Sequence, residues 1–285
     1  MRLKQYLTEG RSKKISSIEV RNLLNTKCKK AFKMFKEGIV IYRGVKNVTD
    51  SYVLVTPSKF TRKSLNTYNY YTLINDNSPA WKDYPKRSKS IICTTNQNTA
   101  RSFGELYAVF PFDGAKIGVC PDVDYWTSFL FLDIKTDISN MMEFNEQLKY
   151  LFDIQQIKRF AGDISKANTY KDLQKLFYKF DKFIKIQDEK TIKEMKQKSE
   201  RNNIDFVMPD KSPTIQKIIK EHDVNLLKKY DDFMNMEKYF RYLLDPEKNY
   251  FGLKRVGDKL PNDVEVWTDG DSVLIKYFML DDLSL

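Results

Sequence analysis

Apolar residues recur at helical spacing at Val20, Leu23, Leu24, Cys28, Ala31, Phe32 and Phe35, and the spacing predicts one amphipathic helix there. Ser16 and Glu19 form a capping-box pair ahead of it, and Gly38 is placed to end it. The period then changes. Ile39 to Arg43 is a continuous β-type run. Residues 44–89 are rich in Asn, Ser, Thr and Tyr, and Asn66 to Thr72 is expected to line a pocket. Pro79 and Pro85 bracket Trp81. A second strand is expected at Ser90–Thr94, then a short helix over Asn98–Phe103. Leu106–Phe110 and Lys116–Cys120 read as strands around a turn at Asp113-Gly114, and residues 126–133 form a further aromatic and aliphatic run.

Near residue 137 the pattern becomes helical and stays so to about 245. Leu173, Leu176, Phe177, Phe180, Phe183 and Ile184 make one stripe. Ile215, Ile218, Ile219, Leu226, Leu227 and Tyr230 suggest another helix or pair. Such stripes are core far more often than function. Past them, Val264-Glu265-Val266-Trp267 and Val273-Leu274-Ile275-Lys276-Tyr277 predict a hairpin across Asp269-Gly270-Asp271. The strands near 40, from 90 to 133 and at the end must share a sheet or a pair of sheets. The fold class is α+β. Residues 1–37 form an N-terminal segment and helix, 38–136 with 246–285 a β-rich core, and 137–245 a helical insertion or subdomain.

Composition narrows the class. The 285 residues are 41% hydrophobic and 31% charged, which describes a globular chain large enough for a sizeable core. No apolar run approaches the ~20 residues of a membrane span, and no secretory signal is expected from Met1 to Gly10. Cys28, Cys93 and Cys120 lack paired metal-ligand spacing, so neither zinc nor a disulfide framework is expected, and a reducing compartment is. Charge is uneven: residues 1–100 carry 20 Lys/Arg against 6 Asp/Glu within a net charge of +11. That part would attract DNA, another anionic ligand or an acidic protein surface.

Three separated segments carry candidate chemistry. Tyr42-Arg43-Gly44 offers a cation at a strand end. Cys93-Thr94-Thr95 offers hydroxyls, with Ala100 and Phe103 following. Asp263-Val264-Glu265 offers carboxylates on a late strand. Together they suit NAD, whose nicotinamide–ribose bond breaks through an oxocarbenium-like transition state. A carboxylate stabilises the developing cation, a guanidinium suits the pyrophosphate, and an aromatic face suits the nicotinamide.

In these residues and their order the chain resembles the Arg–Ser–Glu class of ADP-ribosyltransferases, over residues 38–135 and 255–285. The resemblance implies an ADP-ribosyltransferase-like split β-sheet core with an N-terminal helix and a large helical insertion. It implies NAD as substrate without a metal, and a host protein or nucleic acid as acceptor. Arg43 and Gly44 would hold the NAD phosphate or ribose. Cys93, Thr94, Thr95 and Phe103 would form the nicotinamide-ribose pocket. Glu265 would be the catalytic carboxylate, with Asp263 near the acceptor. Cys93 stands at the family's first Ser and Asp263 at its first Glu, which weakens one expected hydrogen bond and leaves the acceptor side chain open. Leu3 to Ser12 also resembles the starts of proteins from large tailed phages, which would place the chain in the virion or the host cytoplasm.

Each residue has a plainer reading. Arg43 alone is a surface or salt-bridged arginine, and Thr94 and Thr95 are ordinary strand residues. Glu265 alternates with valines and by default faces solvent. Lys86-Arg87-Ser88-Lys89 is a phosphate site or a solvated loop. Asp122 and Asp124 make a weak cation pair. His222 lies in a charged stretch that argues against a His-based triad. An NAD-dependent transferase or glycohydrolase therefore stands beside a non-enzymatic nucleic-acid-binding or virion structural protein.

Overall fold

The structure is a computed structural model that describes residues 12–46, 49–59, 61–62, 70–131, 134 and 138–281. Residues 3–11 of the expected phage-like start and positions 66–69 of the expected pocket lining lie outside the described residues. Two helices share the N-terminal stripe assigned to one: α1 (Ser17–Thr26) and α2 (Lys29–Lys36). Ser16 caps α1 by accepting the Glu19 N–H at 3.1 Å. The Glu19 carboxylate pairs with Lys13 at 3.0 Å. The break has a tertiary cause. The Cys28 thiol donates to the Phe110 carbonyl at 3.3 Å, and Asp113 accepts the Lys30 N–H at 2.8 Å. The stripe's spacing runs through the bend because Val20, Leu24, Cys28, Ala31 and Phe32 all enter one core. Gly38 ends α2 with φ +83°, as its position implies.

The strands are β1 (Ser12–Lys14), β2 (Tyr42–Val45), β3 (Tyr52–Val55), β4 (Ile91–Thr94), β5 (Glu105–Pro111), β6 (Lys116–Val119), β7 (Gly252–Arg255), β8 (Glu265–Thr268) and β9 (Ser272–Lys276). They form one nine-stranded sheet in the order β1-β3-β9-β5-β2-β4-β8-β6-β7. Every pairing is antiparallel. Four cross-strand pairs join β2 to β5 and four join β4 to β8, but β2 meets β4 at Tyr42 and Thr94 alone. The sheet is thus two ladders, β1-β3-β9-β5-β2 and β4-β8-β6-β7, meeting at a narrow seam.

The expected hairpin across Asp269-Gly270-Asp271 does not form, and the strands around the Asp113-Gly114 turn do not pair with each other either. The Asp113-Gly114 turn and the Asp269-Gly270-Asp271 turn each carry the chain from one ladder to the other. The apolar run of β9 is buried throughout, and it inserts between β3 and β5. The two crossings lie side by side, with the Phe112 N–H donating to the Asp271 carbonyl at 2.8 Å. Gly270 packs so closely on Ala115 that a Cβ there would overlap the alanine methyl.

The chain divides into two compact units: Met1–Asn66, Ser78–Ser128 and Pro246–Leu285, and Thr67–Asn77 with Phe129–Asp245. The helical unit therefore starts before residue 137 and recruits α3 (Tyr70–Asn77). Tyr70, Tyr71 and Thr72 of the expected pocket lining are buried in that helix. The run 126–131 is not a strand, because Phe129 and Phe131 stack with each other and Phe131 on Phe144, inside the helical core. The other helices of this unit are α5 (Met141–Asp153), α6 (Gln155–Ala161), α7 (Tyr170–Arg201), α8 (Pro213–His222) and α9 (Met236–Leu243); α4 (Gln97–Ser102) belongs to the sheet unit. A Thr169–Asp172 capping box starts α7, and its stripe from Leu173 to Ile184 is buried as the period predicts. The expected continuation beyond α8 is two 3-10 turns, Asn225–Leu227 and Tyr230–Asp232, after Asp223 ends α8 in the left-handed conformation. Among the described residues no helix is long and apolar enough to cross a membrane.

Candidate active site

The seam brings the strands of all three candidate segments together. Tyr42, Thr94 and Glu265 are consecutive cross-strand partners on β2, β4 and β8. Partners in an antiparallel sheet project to the same face, so these three side chains form a row. Arg43 is one position out of the row, and the pleat turns it to the opposite face. Its Nη1 donates to the Ile92 carbonyl, which ties β2 to β4 beside the seam. Arg43 therefore touches β4 without sharing the face of Glu265.

The two threonines fix the backbone in front of Glu265. Thr94 Oγ1 donates to the Val264 carbonyl at 3.1 Å and accepts the Asn96 N–H at 3.0 Å. Thr95 N–H donates to that same carbonyl at 3.0 Å, and the Val264 N–H donates to Thr95 Oγ1 at 3.1 Å. Both hydroxyls thus act on the residue preceding Glu265. Asn96 caps α4 by accepting the Thr99 N–H at 2.8 Å, and its Nδ2 donates to Asp263. Asp263 is exposed with φ +57°, a left-handed conformation that Asp tolerates.

Two expected binding residues have other roles. Cys93 is buried in the hydrophobic core, so its side chain is not presented to a ligand. Burial pushes its thiol up to about 12; Arg43 nearby works against that shift and Glu265 adds to it. Gly44 is buried under α4, where a Cβ would overlap the Ala100 carbonyl and meet the Phe103 Cβ. Its glycine, and the small Ala100, serve helix-on-strand packing. Phe103, at the end of α4, is 56% exposed and presents a ring to solvent.

The partner of Glu265 is Arg87, which the sequence does not single out from its basic neighbours. Arg87 Nη2 donates to Glu265 Oε1, with the two side chains 5% and 15% exposed. The guanidinium lies 3.6 Å from the centroid of the Tyr125 ring and 5.4 Å from that of Trp267. Trp267 is fixed in turn: its Nε1–H donates to the Pro85 carbonyl at 2.8 Å, and Gly118 opposite leaves room for its indole. Lys86, Ser88 and Lys89 remain exposed or half-buried, so one cation of the cluster turns inward. Pro85 was the available signal, since it stiffens the turn that aims Arg87 at the sheet.

Asp124 completes the surroundings. Burial raises its carboxyl above the ordinary value; the Trp126 N–H it accepts at 2.9 Å opposes that, and the Glu265 charge adds to it. Asp122 accepts the Val123 N–H at 2.7 Å. Among the described residues, no group of three or more His, Cys, Asp or Glu gathers as metal ligands. Cys28, Cys93 and Cys120 are free and buried, and burial holds the Cys120 thiol well up. His222 is half-buried beside Tyr150 in the helical unit. The constellation can hold a partly exposed carboxylate at a fixed place on a strand. Comparison with protein families, curated proteins and solved structures finds no match to this chain.

Proposed function

We propose that the chain is an NAD-dependent ADP-ribosyltransferase with Glu265 as its catalytic carboxylate. The observation that carries this reading is Glu265 directly across from Thr94 at the seam, its strand pinned through Val264 by both threonines. A sheet of two ladders that meet at one residue pair supports the split-sheet reading. In the reaction the nicotinamide–ribose bond breaks, and its electron pair leaves with neutral nicotinamide. The acceptor's nucleophile then bonds to the ribose carbon and releases one proton. With Oε1 on Arg87, the other carboxylate oxygen of Glu265 would accept from a ribose hydroxyl as positive charge develops. Asp263, exposed two residues earlier, would face the acceptor, a host protein or nucleic acid. Phe103 would offer its ring to the nicotinamide. Arg43, turned to the other face of the sheet and donating to the Ile92 carbonyl, has no part in this reading.

The test is release of nicotinamide from labelled NAD, with and without host lysate. Glu265→Gln keeps the shape and removes the charge, and should cost roughly 3–4 kcal/mol of barrier, or ~100- to 1,000-fold in rate. Asp263→Asn should lower label transfer more than NAD hydrolysis. A wild-type chain that releases no nicotinamide, or a Glu265→Gln variant at full rate, would reject the enzyme reading.

A further inference from the structure

We propose that the face formed by the α1–α2 junction and the turns at 112–115 and 255–258 binds the phosphate backbone of nucleic acid. Main-chain contacts knit these separate segments together. The Asp113 N–H donates to the Lys27 carbonyl at 2.6 Å, and the Val256 N–H to the Ala115 carbonyl at 3.1 Å. Gly257 sits against the Lys30 stem, where an added Cβ would lie 3.1 Å from Cδ. This surface displays Lys27, Lys29, Lys30, Lys254 and Lys259, all exposed; the pleat turns Arg255 to the other face of the sheet. The two carboxylates among them are engaged by main-chain N–H groups, Asp113 by Lys30 and Asp258 by Arg255, each at 2.8 Å.

Edge protection explains part of the charge. β7 ends the sheet, and Lys254 and Arg255 deter pairing with another strand. That reason does not reach Lys27, Lys29 and Lys30, which lie on no edge. Holding five like charges on one ordered surface costs self-repulsion, and a polyanion relieves it. A membrane would favour apolar residues for insertion, and the exposed side chains that carry this face are cations. A regular phosphate array fits single-sign charge spread over a stiff surface, with contacts that do not read sequence.

The proposal is independent of NAD chemistry, and its test uses none. The full chain is titrated onto a labelled DNA duplex of about 20 base pairs, from roughly 50 to 200 mM salt. The logarithm of affinity should fall linearly with the logarithm of salt concentration. The triple substitution Lys27→Gln, Lys29→Gln and Lys254→Gln should flatten the slope by about 2–3 and weaken low-salt binding at least ~tenfold. A control triple on α7, Lys190→Gln, Lys193→Gln and Lys198→Gln, should change neither. Absence of duplex binding, or binding that the first triple leaves intact, would overturn the proposal. So would tighter binding to polyglutamate than to the duplex, which would assign the face to acidic proteins.

Discussion

Arg87 and Glu265 decide the energetics of the site, because neither charge is well hydrated. Removing one partner of a buried ion pair leaves the other charge uncompensated, at a cost of up to about 3–5 kcal/mol. The loss at Arg87→Met should fall below that range, since Glu265 keeps some contact with water. Urea denaturation should show a lowered midpoint for Arg87→Met, and recovery in the double variant with Glu265→Gln. A double variant no more stable than the single would mean that packing on Tyr125, not charge, gives Arg87 its value. Gly44→Ala tests a different residue-level constraint. Its methyl would enter the space of the Ala100 carbonyl, and overpacking of this kind costs about 1–3 kcal/mol. The carboxylate and hydroxyl positions were legible at this scale because strand alternation and residue type are local. The inward turn of Arg87 was not, since four adjacent polar residues look alike until a sheet supplies Glu265 and Trp267.

Helices were legible as elements because their period is written into contiguous residues, as in the Leu173–Ile184 stripe of α7. The α1–α2 bend was not, because its cause is Phe110 and Asp113, some eighty residues away. Strands β2, β4, β5, β6, β8 and β9 were readable, the short edge-side strands β1, β3 and β7 were not, and neither was strand pairing. An apolar run beside a Gly-containing turn reads the same whether it folds back or crosses to another ladder, and β5–β6 and β8–β9 both cross. Within the helical unit, Asp181 makes a pH-dependent brace. Its carboxylate accepts from the Tyr230 hydroxyl at 2.7 Å and from the Met236 N–H at 3.0 Å, joining α7 to α9. Burial raises its pKa to about 6 against these hydrogen bonds, from an ordinary 3.8. A carboxyl raised in the folded state stabilises the fold fully below pH 3.8, and that contribution is lost as pH rises through about 6. The wild-type melting temperature should therefore fall, relative to that of Asp181→Asn, between these two values. Parallel profiles for the two proteins would remove Asp181 as the source.

At the scale of the molecule, the two units differ in how far apart in sequence their partners lie. Most helices of the second unit pack on near neighbours, α5 on α6, α6 on α7 and α7 on α8. In the sheet unit, β9 (Ser272–Lys276) lies between β3 (Tyr52–Val55) and β5 (Glu105–Pro111), and β8 lies between β4 and β6. A nascent chain emerging from its N-terminal end therefore makes β3 and β5 long before the strand that separates them exists. Until Ser272 to Lys276 has been synthesised, both present open edges, the condition in which strands pair with the wrong neighbour. Helical contacts of short range form sooner than pairings that close long loops. Pulse-labelled hydrogen exchange during refolding should find amides of α5 and α7 protected before those of β3 and β5; protection of all four together would contradict that order. The crossing topology thus makes completion of this sheet wait on β9, and leaves the edges of β3 and β5 bare until that strand has been made.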